Sequence, residues 1–256
     1  MSDAGRLEGK IALVTGAGNG IGEAIARCFA RHGAHVIVND IRAEEGQAVT
    51  DDIGDRAEFV RFDVTDADAW DAAMTDIVAR YGGLDVLVNN AGMGNSGRIE
   101  QASVELHRKQ IDVNFTGVWL GIRAAVSAMK AGGGGSIVSI SSIDGLVGVE
   151  GMSTYVGTKF AVTGMTRSLA LELGPDNIRV NSVHPGITET PMLMAHWPLP
   201  ERINRAIARQ PIARLGRPEE IANAVLFFAC EESSFCTGTS LVVDGGHIAG
   251  PFRDAF

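Results

Sequence analysis

Tyr155 and Lys159 stand four residues apart in the run Tyr155-Val156-Gly157-Thr158-Lys159, and Ser142 lies upstream of both. On a helix over Ser153–Leu173 that spacing stacks the two side chains on one face. A phenol has an unperturbed pKa of roughly 10, too high for a base near neutrality. An adjacent ammonium favours the phenolate and lowers that value. The two side chains together therefore form a tunable general acid/base. Helices carry many such pairs by chance, so the reading rests on the elements that position this one.

Those elements alternate. β-branched runs predict strands at Ile11–Thr15, His35–Asn39, Glu58–Phe62, Asp85–Asn89, Ser136–Ile140, Ile178–Val183 and Ser240–Val243. Amphipathic segments between them predict helices at Ile21–His32, Ala43–Ile53, Asp66–Tyr81, Val104–Lys130, Ser153–Leu173 and Pro218–Cys230. Strand–helix alternation implies a parallel sheet covered on both faces. Right-handed crossovers make it a doubly wound, Rossmann-type α/β fold of about seven strands. No Pro/Gly/Ser-rich linker divides residues 1–256, which points to one domain. Gly132–Gly135 reads as a turn between a helix and a strand. The stretch Thr188 to Pro211 lacks periodicity and reads as a long loop, a feature of functional segments in compact domains.

Net charge is −9 and hydrophobic residues make up 45% of the chain. A negative surface disfavours nucleic acid, whose phosphates call for basic residues. Cys28, Cys230 and Cys236 lack metal-ligand spacing and read as reduced thiols, so no metal is expected. Met1 to Lys10 is polar and has no apolar core of a signal peptide. No apolar run reaches the roughly 18 residues of a membrane span. A cytoplasmic, soluble protein that does not engage membranes is the expectation.

After the first strand comes Thr15-Gly16-Ala17-Gly18-Asn19-Gly20-Ile21-Gly22, opening a helix. Glycines there permit a tight turn and close approach of backbone to a pyrophosphate, and the helix N-terminus supplies free N–H groups. Asp40 ends the second strand, where a carboxylate can accept from ribose hydroxyls and repel a 2′-phosphate. That favours NAD over NADP, although Arg42 nearby weakens the exclusion. Asp63, after the third strand, is placed either to reach an adenine edge or simply to face solvent.

With these residues assembled, the chain resembles the NAD-dependent short-chain dehydrogenase/reductase family over nearly its full length. Thr15-Gly16 with Gly20 and Gly22 matches the cofactor turn. Asn89-Asn90-Ala91-Gly92 matches the motif after the fourth strand. Asn114, Ser142, Tyr155 and Lys159 match the catalytic tetrad, with Ser142 thirteen residues before Tyr155. Pro185-Gly186 with Thr190 matches the element that holds the nicotinamide carboxamide. Within the family, the run Asn181 to Met192 is similar to bacterial 3α(20β)-hydroxysteroid dehydrogenases, and cyclic-alcohol dehydrogenases share much of it.

The resemblance implies the following roles. Tyr155 takes or gives the hydroxyl proton. Ser142 holds the substrate oxygen; the neighbouring Ser141 has the wrong spacing for this role. Lys159 lowers the Tyr155 pKa and bonds the nicotinamide ribose. Asn114 holds a water leading to solvent, although the residues alone read it as a helix irregularity. Cofactor contacts are implied for Gly16, Asn19, Gly20, Ile21 and Gly22, then for Asp40, Asp63 and Val64. They continue through Asn90, Ala91 and Gly92 to Pro185, Gly186, Ile187 and Thr190. The apolar loop with Met192, Leu193, Met194, Trp197 and Leu199 resembles a substrate lid, or else packs on the domain or a neighbouring subunit. Met93, Leu146, Val147 and Met152 are candidates for the same pocket.

The implied reaction is hydride transfer between NAD and a bulky apolar cyclic or steroid-like alcohol or ketone. The resemblance also implies a homotetramer built on the two long helices and the C-terminal strand region, with Phe252 and Phe256 of the tail available for packing. Two alternatives remain. One is a 3-oxoacyl-carrier-protein reductase, which Asp40 and the net charge oppose. The other is a non-catalytic NAD-binding sensor or scaffold, which the intact tetrad opposes.

Overall fold

Ile11–Thr15 and Val86–Asn89 read as nearly unbroken Val, Ile, Leu and Ala because both faces of the sheet are covered there. In the computed structural model, which describes residues 5–196, 200–208 and 210–250, seven strands form one parallel sheet. They are β1 (Ile11–Thr15), β2 (His35–Asn39), β3 (Ala57–Val60), β4 (Val86–Asn89), β5 (Gly135–Ile140), β6 (Ile178–Pro185) and β7 (Ser240–Val243). Their order is β3-β2-β1-β4-β5-β6-β7. Alternate residues face opposite sides. Ala12 and Val14 of β1 pack into one core cluster, and Leu13 between them packs into the other.

The first cluster is closed by α1 (Gly20–Arg31) and α9 (Pro218–Ala229), through Ile25, Phe29, Val225 and Phe228, with Val49 of α2 (Ala43–Ile53). The second is closed by α3 (Ala67–Tyr81), α5 (Gly117–Ala131) and α6 (Ser153–Leu173). Their contributions include Trp70, Ile77, Ile122, Met129 and Val162. Trp70 also donates from its indole to the Val64 carbonyl at 2.9 Å. The predicted doubly wound α/β fold is the observed one.

Several element ends shift by a residue or two from the sequence reading, β6 running on to Pro185, and three departures stand out. β3 runs Ala57–Val60 rather than Glu58–Phe62. Beyond it the Asn39 side-chain amide, not a neighbouring strand, donates to the Phe62 carbonyl at 3.1 Å. The helix expected over Val104–Lys130 is broken: α4 (Val104–Ile111) passes through a π-helical turn at Asp112–Thr116 into α5. Asn114, read from the sequence as a helix irregularity, sits in that turn.

The third is the supposed loop. It carries two short helices, α7 (Pro191–His196) and α8 (Pro200–Ile207). Each begins at a proline, whose fixed φ and missing N–H suit a first helical position. The Thr190 hydroxyl accepts from the Leu193 N–H at 3.2 Å and caps α7. Trp197, Pro198 and Leu199 lie outside the described residues, as do Phe252 and Phe256. Gly132 to Gly135 form the expected turn into β5, with Gly133 and Gly134 at positive φ. Among the described residues no helix is long and apolar enough to cross a membrane.

Candidate active site

The strand order reverses between β1 and β4, so the loops leaving their carboxyl ends diverge and open a crevice there. Thr15 binds the two sides together. Its hydroxyl accepts from the N–H groups of Asn90 and Ala91, both at 3.0 Å. The Asn90 amide in turn donates to the carbonyls of Thr15 (2.9 Å) and Gly16 (3.0 Å). The loop after β4 is thereby fixed against the glycine turn after β1.

That turn is shaped for close approach. Gly16 and Gly20 adopt φ of 61° and 58°, where side chains are strained. A Cβ on Gly16 would lie 2.8 Å from the Ala91 Cα, and one on Gly22 would lie 2.2 Å from the Gly16 carbonyl oxygen. Asn19 precedes α1 without capping it by its side chain. Its amide oxygen instead accepts from the Arg42 guanidinium. The first-turn N–H groups of Gly20, Ile21 and Gly22 have no intrahelical partner, leaving a positive dipole end over an uncovered cradle. Thr190 reaches this turn from the far side: its Cγ2 would be 3.5 Å from a Cβ on Gly20.

Asp40 is only 4% exposed. Its carboxylate accepts from the Gly18 N–H (3.0 Å), the Arg42 N–H (3.0 Å) and the Arg42 guanidinium (3.2 and 3.3 Å). The same contact holds the Arg42 pKa above its ordinary value. Asp63 is exposed, and its carboxylate accepts from the Thr65 N–H and hydroxyl. It borders a cavity of about 510 Å³ together with Arg108 and Lys109 of α4. Val64 is buried behind it, against Gly117. Uncovered backbone donors, a buried acceptor carboxylate and glycines that clear the approach fit a dinucleotide.

Along the carboxyl edge, β5 delivers Ser141 and Ser142. The Ser141 hydroxyl donates to the Lys159 carbonyl at 3.0 Å and so ties β5 to α6. Ser142 is left toward the cleft, its hydroxyl accepting from the Asp144 N–H at 3.1 Å. Asn114 is fully buried. Its side chain accepts from the Met93 N–H (2.8 Å) and donates to the Met93 carbonyl (2.9 Å) and the Thr158 hydroxyl (3.3 Å). It therefore joins the loop after β4, the π-turn and α6. A Cβ on Gly92 would lie 3.5 Å from the Asn114 Oδ1 and 3.9 Å from the Lys159 Nζ. On the next strand, the Gly186 N–H donates to the Val243 carbonyl and the Gly216 N–H to that of Ile187. This holds the turn after Pro185 at the same edge.

Tyr155 and Lys159 share one face of α6, but not as the spacing alone suggested. The Lys159 Nζ lies 5.6 Å from the centre of the Tyr155 ring and donates to the Ile140 carbonyl at 2.8 Å. The ammonium thus sits over the ring, not at the hydroxyl. Burial, reinforced by the Asp144 carboxylate and opposed by a hydrogen bond to Ser142, pushes the Tyr155 pKa up to about 12. Burial pushes Lys159 down to about 8, with Asp144 opposing. The expectation was that the adjacent ammonium lowers the Tyr155 pKa; here burial outweighs any such effect and raises it. Burial thus favours the protonated phenol.

Three participants were not drawn from the sequence. Thr15 was quoted only as part of the glycine turn. Asp144, two residues after Ser142, has a carboxyl raised by burial and opposed by His247, Ser142 and Lys159. His184, inside a run already singled out, is buried behind Ser142. Among the described residues no group of His, Cys, Asp and Glu is arranged to hold a metal ion, and the three cysteines are free thiols.

A family model described as "Enoyl-(Acyl carrier protein) reductase" matches residues 16–247. The chain is 48% identical, over 98% of its length and 94% of the relative's, to "3-alpha-(or 20-beta)-hydroxysteroid dehydrogenase" of Mycobacterium tuberculosis. The chain belongs to the short-chain dehydrogenase/reductase family. It is also 44% identical to "Trans-4-hydroxycyclohexanecarboxylate dehydrogenase" of Sinomonas cyclohexanicum, covering 96% and 95% of the two chains. To "Cyclohexanol dehydrogenase" of an Acinetobacter species it is 40% identical, covering 94% and 96% of the two chains. As a short-chain dehydrogenase/reductase it is an enzyme that acts on CH–OH groups, interconverting alcohol and ketone with a nicotinamide cofactor.

The buried ammonium has a consequence for stability. Unfolded Lys159 keeps its proton to about pH 10.5, whereas the folded one releases it near 8. Between those values the unfolded state holds more protons, so stability rises with pH. In cofactor-free protein, wild type should gain up to ~3 kcal/mol over Lys159→Met between pH 8 and 10.5. Urea unfolding across that range measures it; a difference that stays flat or falls would place the ammonium in water.

Proposed function

We propose that this chain is an NAD-dependent dehydrogenase that interconverts a secondary alcohol and a ketone on a bulky, apolar cyclic or steroid-like substrate. The observation that carries the reading is the convergence of Ser142, Tyr155 and buried Lys159 beside the glycine turn. When bound, the cofactor supplies or accepts the hydride, and its oxidised ring brings a positive charge to the site. The chain's own residues handle everything else. Ser142 donates to the substrate oxygen and stabilises charge developing there. The Tyr155 hydroxyl would give its proton to that oxygen in reduction; in oxidation its phenolate, favoured by the cationic nicotinamide and by Lys159, would take the proton of the alcohol. Lys159 bonds the nicotinamide ribose and keeps a cation under the Tyr155 ring. Asn114 holds the π-turn, where a water linking Lys159 to solvent is to be held.

Gly16, Asn19, Gly20, Ile21 and Gly22 would carry the pyrophosphate, and Asn90, Ala91 and Gly92 the nicotinamide ribose side. Pro185, Gly186, Ile187 and Thr190 would hold the carboxamide. Asp63 and Val64 would border the adenine. Asp40 supports NAD: it is buried against the turn, where a 2′-phosphate would meet a carboxylate. Arg42 already bonds that carboxylate and Asn19, so it is not free to receive a phosphate while Asp40 remains.

The substrate class rests on the apolar carboxyl edge and on the relatives' names. Val147, Val149, Met192 and Met194 are large apolar side chains left exposed on the loops and helix following β5 and β6. Covering them with a bulky substrate gains about 25 cal/mol per Å². The chain is taken to act as one catalytic domain in the cytoplasm, with residues 188–211 as its substrate segment. The homotetramer is favoured by the outward apolar residues Val104, Leu106, Trp119, Phe160 and Leu171 on α4, α5 and α6.

One matrix of kcat/KM values tests cofactor and substrate. It pairs NAD+ and NADP+ with cyclohexanol, a 3α-hydroxysteroid, a hydroxy acid and an acyl thioester reduction, in wild type and Asp40→Ala. Wild type should prefer NAD+ and the cyclic alcohols by at least about 10-fold, and Asp40→Ala should lose the cofactor preference. A wild-type preference for NADP+, or turnover confined to hydroxy acids or acyl thioesters, would overturn the corresponding half. Light scattering of purified protein should give four times the chain mass; a monomer mass refutes the assembly.

A further inference from the structure

His184 is completely buried at the end of β6, one residue before the Pro185-Gly186 turn. Its Nδ1 lies 2.8 Å from the Ser142 carbonyl oxygen and its Nε2 lies 2.8 Å from the Ser182 hydroxyl. A carbonyl can only accept, so Nδ1 carries the proton. Nε2 is then the acceptor, and Ser182 donates to it. These contacts fix one tautomer for the neutral ring, the Nδ1-protonated one. Burial holds its pKa below the ordinary histidine value, with the cations Lys159 and Arg167 adding to the depression and the Ser142 carbonyl opposing it. No ionised group is required of it at any step proposed above.

The Ser142 carbonyl also accepts from the Gly145 N–H at 2.9 Å, which closes the turn that begins at Ser142. The residue is thus held at its carbonyl by two donors and at its N-terminal side by the Ser141 N–H to the Val183 carbonyl. Of these holds, only His184 is made by a side chain; together with the Ser141 N–H on Val183 it ties this segment to β6, the strand that leads into the Pro185-Gly186 turn.

We propose that His184 is a positioning residue for catalysis: it clamps the Ser142 peptide so that the Ser142 hydroxyl stays aligned with the substrate oxygen. Misplacement of a reacting group by about 1 Å costs on the order of 100-fold in rate, so a lost clamp has room to act without touching substrate. The proposal rests on the role of Ser142 given above.

The test uses the full-length enzyme with NAD+ and the alcohol of the panel that it turns over best. Asparagine places an amide nitrogen where Nδ1 sits; glutamine reaches Ser182 but not the Ser142 carbonyl; leucine reaches neither. His184→Leu and His184→Gln should lower kcat about 10-fold or more with NAD affinity, read by protein fluorescence, within about 2-fold of wild type. His184→Asn should recover much of the rate. In a Ser142→Ala background the same His184 changes should cost little further, because no hydroxyl remains to align. If Ser142→Ala alone leaves kcat intact, the role of Ser142 fails. If Ser142→Ala is slow but the His184 losses multiply with it in full, or Asn is no better than Gln, the positioning role fails. Where the leucine variant does not fold, the Asn and Gln pair decides. Independently, ¹⁵N NMR of histidine-labelled wild type should show a neutral, Nδ1-protonated imidazole at pH 7. A charged ring or the opposite tautomer overturns the proposal without any substrate.

Discussion

A lysine ammonium taken almost wholly out of water is the constraint around which the site is built. Lys159 is 5% exposed, and the ion is compensated by the Ile140 carbonyl, the face of the Tyr155 ring and the field of Asp144. Burying an uncompensated charge is costly, so each of these groups must stay where it is. β5 must end at Ile140 with its carbonyl turned to α6, and α6 must dock at fixed register. The Ser141 hydroxyl on the Lys159 carbonyl enforces that docking. Ser142 follows directly, its hydroxyl accepting from the Asp144 N–H.

The same logic links the two halves of the crevice. Thr15 holds the glycine turn against the loop after β4, and that loop is held from below by Asn114 through Met93. Gln110, one turn earlier and fully buried, donates to the same Met93 carbonyl at 3.1 Å. The π-turn lets Asn114 reach inward while α5 keeps its apolar face, including Val118, Ile122 and Met129, in the second core cluster. The glycine turn and the Tyr155–Lys159 pair thus share one hydrogen-bonded frame.

The fold was legible because short β-branched runs alternating with long amphipathic helices leave few alternatives. The site was legible as residue types: Tyr155, Lys159, Ser142 and the glycine turn all lie along one edge. What escaped the sequence depended on burial or on competing signals. Spacing placed Lys159 beside Tyr155, but only the packed structure puts the ammonium over the ring and lets desolvation raise the phenol. Asp144 enters through the same low-dielectric field. Prolines at 191 and 200 suggested a loop, although each opens a helix; proline signals a start as readily as a break, and Thr190 tips the balance. His184 lay inside a quoted run, yet its partner is a backbone carbonyl 42 residues away, which no spacing rule reports.

The central claim is that Tyr155 moves the proton while the frame around it holds cofactor and substrate. The most direct measurement is the turnover and NAD affinity of Tyr155→Phe, which removes one oxygen and keeps the ring under which Lys159 is buried. The account predicts a fall in kcat on the order of 10²–10⁴-fold with NAD affinity preserved; turnover close to wild type would contradict it.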